Sequence, residues 1–289
     1  MRATLGGVDI HGPAAAALAI LFALASAALV AWGTVARHRT VLGSGSSVLS
    51  TALRNPLWWW GALAAVAAYL AQLVALAFGS VLVVQPILVL SLLFALVVAA
   101  VWEGRRPDRE ASAWSLLLGA SVAVLVLVGR PRPGQDDLAL RDWAPWLLGG
   151  AFLVAGLIAG AIAYRRSSAW LLGTATGVLY GLVAPVAKTA VDVARSMGWG
   201  AALLSWSTWL LVGLIVAGAV LQQYSFSAGP LEQSLPAMTV AEPLVAMVVG
   251  YFLLGETFAV TGVVGWTVIV LSVIGMVGGA AALSLRTAN

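Results

Sequence analysis

The chain has no cysteine and only two histidines, His11 and His38, among 289 residues. The first absence excludes disulfides and thiolate metal sites. The second argues against a histidine proton relay or an imidazole metal site in a bilayer, because both histidines fall outside the apolar runs. Charge is scarce too. Asp, Glu, Lys and Arg make up 9% of the residues, against about a quarter in soluble globular chains. No water-facing surface can be built from so few charges. Enzyme motifs are also missing: there is no Walker A loop, no HExxH and no nucleotide-binding domain, so the chain is not expected to be an enzyme or to drive transport with ATP.

What the sequence has instead is apolar length. Hydrophobic residues make up 62% of the chain, and its mean hydropathy is +1.01. A membrane-spanning helix needs about 20 apolar residues to cross about 30 Å of hydrocarbon. Such runs recur at about 13–36, 57–78, 80–103, 112–129, 144–164, 168–190, 201–221, 230–254 and 260–284. Buried in lipid, backbone polar groups must bond internally, and unbroken apolar runs lack the alternation of a membrane β-barrel. The expected fold class is therefore all-α: a polytopic integral membrane protein of about nine transmembrane helices, whose first partner is the lipid bilayer. Thr40 to Arg54 (TVLGSGSSVLSTALR) is Ser/Gly-rich and too short to span. It reads as a surface or partial helix, with a tenth span as the alternative. The first run is too long for a secretory leader and ends in Arg37-His38-Arg39, which marks a retained helix with a cationic flank.

The net charge of +4 and pI of about 10 do not point to nucleic acid, because Lys and Arg sit in short connections rather than on one face. They orient the helices. With the N-terminus outside and the C-terminus in the cytoplasm of a bacterial inner membrane, nine basic residues face inward: Arg37, Arg39, Arg54, Arg105, Arg106, Arg109, Arg165, Arg166 and Arg286. Six face outward: Arg2, Arg130, Arg132, Arg141, Lys188 and Arg195. Tryptophans 58, 59, 60, 102, 114, 143, 146 and 170 lie near span ends and read as interfacial belts.

Compared with itself at an interval of 150 residues, the chain pairs Trp59 with Trp209, Gln72 with Gln222, Gly79 with Gly229, and Pro86 with Pro236. The shared order suggests two repeats of four spans separated by one helix: residues 1–143, 144–164 and 165–289. An odd helix between them makes the second repeat enter the membrane in the opposite sense. Small-residue stripes at Gly173, Gly177 and Gly181, at Gly156 and Gly160, and at Gly275 and Gly279 suit close helix packing.

Ionisable groups within spans are costly and usually functional. Glu103, Lys188 and Glu256 fall at span ends, where anchoring at the interface explains them, and Glu232 lies near a surface. Glu242 is different: it is twelve residues from either end of its span, next to Pro243 and six residues after Pro236. Prolines remove amide donors and free carbonyls for ligand or water. Glu242 is therefore the leading candidate to alternate between a proton and a substrate or cation. Gln85 beside Pro86, the repeat mates Gln72 and Gln222, Tyr180 and Trp32 are weaker candidates for substrate contact, each also explained by interhelical bonding or packing. No metal site and no cofactor is expected. Nothing in the pattern sets an oligomeric state.

Two segments, VQPILVLS from Val84 to Ser91 followed by Gly104-Arg105-Arg106, and PAMTVAEPLVAMVVGYFLLGE from Pro236 to Glu256, resemble the drug/metabolite transporter (DMT) superfamily in its EamA-like branch. Span six, with Tyr180-Gly181 and Lys188, is similar to the helix that opens that family's second repeat. The resemblance covers nearly the whole chain. It implies inverted repeats around a central cavity and gradient-driven, alternating-access transport of small metabolites, drugs or lipid-like amphiphiles. The chain departs from ten-helix members in having only Thr40 to Arg54 where they have a second helix. A four, one and four arrangement is closer to NIPA-type magnesium transporters, which supplies a second reading. Magnesium demands several hard oxygen ligands, and only Glu242 lies at depth. A non-transporting or lipid-handling membrane subunit is the third, with Arg130 to Asp142 and Thr40 to Arg54 as surfaces for a partner or an anionic headgroup.

Overall fold

The computed structural model describes the chain apart from residues 1–3, 6–7, 10–11, 42–53, 105–107, 136–137 and 289. Most of Thr40 to Arg54 therefore lies outside the described residues, as do Arg105, Arg106, Asp136 and Asp137. Among the described residues the fold is all-α, except for a two-residue antiparallel pairing of Thr4–Leu5 with Val8–Asp9.

Eleven α-helices follow among the described residues: α1 (Pro13–Val41), α2 (Pro56–Phe78), α3 (Val81–Val89), α4 (Ser91–Trp102), α5 (Arg109–Leu127), α6 (Leu140–Ala163), α7 (Ser168–Met197), α8 (Trp199–Leu204), α9 (Trp206–Ser227), α10 (Leu231–Phe252) and α11 (Gly262–Ala288). Nine helical segments among the described residues are long and apolar enough to cross a membrane, with α3 and α4 forming one of them across the break at Leu90. The expected span boundaries shift most around α7. That helix runs to Met197, where Gly198 leaves it at φ +87°. A short α8 intervenes before Ser205 caps α9 by accepting from the Thr208 amide. A span start at residue 201 is therefore replaced by one at 206.

The core of the bundle is α7. It packs on α10, α9, α6 and α2, while α1 packs on α2, α3 and α4, and α5 pairs with α11. Its glycines make this possible. A Cβ at Gly177 would lie 2.6 Å from the Ala241 methyl and 2.8 Å from the Met238 carbonyl oxygen, and one at Gly181 would lie 2.7 Å from the Glu242 carbonyl oxygen. Only hydrogen at these positions lets the two backbones meet. Gly275 and Gly279 likewise approach Ser121 and Leu118 of α5, whereas Gly156 faces open space. The α10 backbone is thus clamped to α7 on both sides of Glu242.

Candidate functional site

Glu242 stands eleven residues after Leu231 and ten before Phe252, close to the middle of α10. Its half-buried side chain opens onto a cavity of about 550 Å³. Gln72 of α2, Gln85 of α3 and Tyr180 of α7 line the same cavity, so four of the six residues singled out in the sequence converge there. Gln222 stands one contact further out: its Oε1 accepts from the Tyr180 hydroxyl at 3.1 Å, and its amide nitrogen reaches the Met238 sulfur at 3.4 Å. Gly218 gives the Tyr180 ring room to lie against α9. Trp32 does not join the site. It packs edge-on against Trp102, whose face lies under Arg39, with Arg39 Cζ 5.1 Å from the ring centre.

Tyr69 belongs to the cavity wall and was missed in the sequence. Its hydroxyl is buried with no hydrogen-bond partner among the described residues, a costly state for a polar group. It precedes Gln72 by three residues, the spacing that stacks two side chains on one helix face, and that was the available signal. The remaining wall is apolar, including Val66 and Leu70 of α2 and Ile215 of α9. These three side chains are also exposed on the outside of the bundle, so the cavity mouth lies between α2 and α9, on the flank of the bundle. Among the described residues the Glu242 carboxyl makes no hydrogen bond or ion pair, and the residue lines the cavity. Pro236 and Pro243 sit inside an uninterrupted α10. Pro86, by contrast, precedes by four residues the junction at Leu90 where α3 gives way to α4.

Two expected interfacial anchors prove to be interior. Glu256 is fully buried and Lys188 nearly so. The Glu256 carboxylate accepts from the first amides of α3, Val81 at 2.7 Å and Leu82 at 2.9 Å, a favourable place for negative charge because helix N-termini present unpaired N–H groups. Lys188 donates to the carbonyls of Leu76 and Gly79 at the end of α2 and faces Asp192 at 4.0 Å. Arg195 adds a bond to the Ala77 carbonyl at 2.9 Å and a pair with Asp192. Together they tie α7 and the loop after α10 to the α2–α3 corner, closing that end of the bundle. Burial pushes the Glu256 carboxyl up to about 7, with Asp192 adding to the shift and with Lys188 and the two amides opposing it. Glu103, by contrast, is partly exposed and paired with Arg39.

One further expectation changes. Trp143 is not a belt residue: it is fully buried, edge-on to Trp206 with ring centres 6.0 Å apart. Within the Arg130 to Asp142 loop, the backbone of Arg132 and Gln135 pairs with Thr257 and Leu254 beside Glu256, while the Arg130 and Arg132 side chains stay exposed. Among the described residues no three His, Asp or Glu side chains gather where a metal ion could be held.

No family model matches the chain, and no solved structure matches it. It is 45% identical over 250 residues to an uncharacterized protein of Corynebacterium glutamicum, covering 84% of this chain and 86% of the relative. The chain is a polytopic helical membrane protein by architecture. It belongs to the family of that corynebacterial protein.

Proposed function

We propose that this protein is a non-enzymatic, gradient-driven transporter of small lipophilic or amphiphilic solutes, related to the EamA-like drug/metabolite transporters. The observation that carries the reading is the Glu242 carboxyl, held halfway along α10 and facing a cavity walled by α2 and α3 from one half of the chain and by α7, α9 and α10 from the other. Intramembrane carboxyls are rare and usually mark an ion or substrate path, and carriers bind near the bilayer midplane where repeats meet.

Inverted repeats are supported by more than sequence matches. Helices α2 and α9 begin at Pro56 and Trp206, and α3 and α10 at Val81 and Leu231, the same 150-residue interval. A Cβ on Gly79 would meet the Ala19 methyl, and one on Gly229 would meet the Ala169 methyl, again at that interval. The apolar mouth between α2 and α9 favours solutes that partition into lipid over freely hydrated ones. A magnesium path is less well supported, because Glu242 is the only carboxylate among the described residues of the cavity wall and magnesium requires several oxygen ligands. The Lys and Arg distribution supports a bacterial inner membrane with the N-terminus outside, which puts the Glu256–Lys188 closure at the outer end.

The test is proton-coupled uptake or efflux of lipophilic solutes in vesicles. Glu242→Gln should abolish coupled flux while the protein still purifies and melts as wild type does. Unchanged flux in that variant would remove the basis of the reading.

A further inference from the structure

A second and larger concavity, of about 1090 Å³, lies on the other side of α7, between α6 and α9, and the transport reading does not use it. Its shape follows from packing. At one end Trp143 of α6 meets Trp206 of α9, so these helices converge. Toward the other end they part, and α6 rests mainly on α7. Small side chains on both flanks, Ala151, Ala155 and Ala161 on α6 and Ala217 on α9, deepen the cleft, and Leu172 and Leu179 of α7 form its floor.

Polarity is confined to the open end. Arg165, Ser168, Tyr224 and Ser227 gather there, while the wall above is aliphatic. Arg166 follows Arg165 in the same exposed turn. The lined stretch, residues 151–162 of α6 and 217–228 of α9, extends about 17 Å at 1.5 Å per residue, close to one leaflet of an approximately 30 Å hydrocarbon layer. The ordering, from closed apolar apex to open basic mouth, matches an acyl chain and an anionic headgroup in length and in charge. A helix from a second copy would have no use for a guanidinium at one end only. A soluble metabolite would find no polar group in the upper two-thirds.

We propose that this groove is a binding site for one anionic phospholipid, its phosphate at Arg165 and an acyl chain laid along α7 between α6 and α9. With the N-terminus outside, Arg165 is on the cytoplasmic side, where basic pockets between transmembrane helices recognise acidic headgroups.

Native mass spectrometry of delipidated, detergent-purified protein tests this by titration with phosphatidylglycerol and with phosphatidylcholine of the same chains. Wild type should retain one phosphatidylglycerol with about tenfold preference over phosphatidylcholine. Arg165→Gln, an exposed change that leaves packing untouched, should bring the two lipids to parity. Ala155→Phe, also at an exposed position, should weaken both lipids about tenfold by filling the groove, and Ala217→Leu on the opposite wall should act the same way. Equal binding of the two lipids by wild type, or a preference that survives Arg165→Gln, overturns the headgroup assignment. Lipid retention unchanged in both groove-filling variants, or a dimer lost in them in place of lipid, overturns the site. None of these readouts depends on transport, so failure here leaves the Glu242 reading standing, and the reverse also holds.

Discussion

At the scale of single residues, the glycines of α7 act as spacers for a carboxyl group on another helix. Gly177→Ala forces a methyl into a space 2.6 Å from another methyl and 2.8 Å from a carbonyl oxygen, and overpacking of this kind costs about 1–3 kcal/mol. Because the clash falls one turn from Glu242, the variant should lose coupled flux as well as thermal stability in detergent. Gly156→Ala is the control. Nothing lies within 4 Å of that position, and replacing a helical glycine removes about 0.5–1 kcal/mol of unfavourable backbone entropy. Its melting temperature should stay level or rise. A Gly177→Ala protein as stable as wild type would show that α7 and α10 are not in such close contact. Glu256 gives a second residue-scale prediction. Its carboxyl titrates near 7 when folded, above its ordinary value of 4.5. A group whose folded value is raised contributes stability that is fully present below the unfolded value and lost as pH rises through the folded one. The melting temperature should therefore fall between about pH 5 and about pH 8, and Glu256→Gln should flatten that fall. A slope identical in the variant would assign the dependence to other groups.

Elements were the most legible level of the sequence, and they show where legibility ends. Unbroken apolarity placed the nine spans found among the described residues, because each must bury its own backbone bonds in the same apolar solvent. What apolarity cannot mark is a break between two equally apolar pieces, as at Leu90, or a helix that outlasts its apolar stretch. Lys188 looked like an anchor because apolarity falls off near residue 190. Yet α7 continues to Met197, and Asp192 and Arg195 lie one and two turns beyond Lys188 on the same face. Charged side chains that partner one another inside a protein imitate, in sequence, the end of a span. The same reasoning separates Gln72, Gln85, Tyr180 and Glu242, which share a cavity, from Trp32, which does not: depth along a helix was readable, but azimuth was not. An element-scale prediction follows at Ser205, whose side chain caps α9 and also contacts Ser207 and Thr208. Ser205→Ala should cost about 0.5–2 kcal/mol, as loss of a cap usually does. If its melting temperature were unchanged, the cap would have no role in separating α8 from α9.

For the whole molecule, the central question is which way the cavity opens. One end is sealed by three cross-connections from α7 and the loop after α10 to the α2–α3 corner: Glu256 to the amides of α3, Lys188 to the carbonyls of Leu76 and Gly79, and Arg195 to that of Ala77. An alternating-access carrier must break such a seal in each cycle, so its bonds cannot all be permanent. The natural absence of cysteine makes the motion directly measurable, since a single introduced thiol is the only reactive one in the chain. A thiol placed by Gln72→Cys sits in the cavity wall beyond the seal. In oriented vesicles with the outer end exposed, an impermeant maleimide should reach it slowly. Adding Lys188→Met removes the ammonium that holds the α2 carbonyls while Arg195 still pairs with Asp192. That double variant should label at least several-fold faster from the outer side, with little change from the inner side. Acceleration from both sides equally would mean a loosened fold rather than an opened gate. No acceleration from either side would mean that the α7 seal is a permanent part of the scaffold, and that any path to Glu242 runs only through the mouth between α2 and α9.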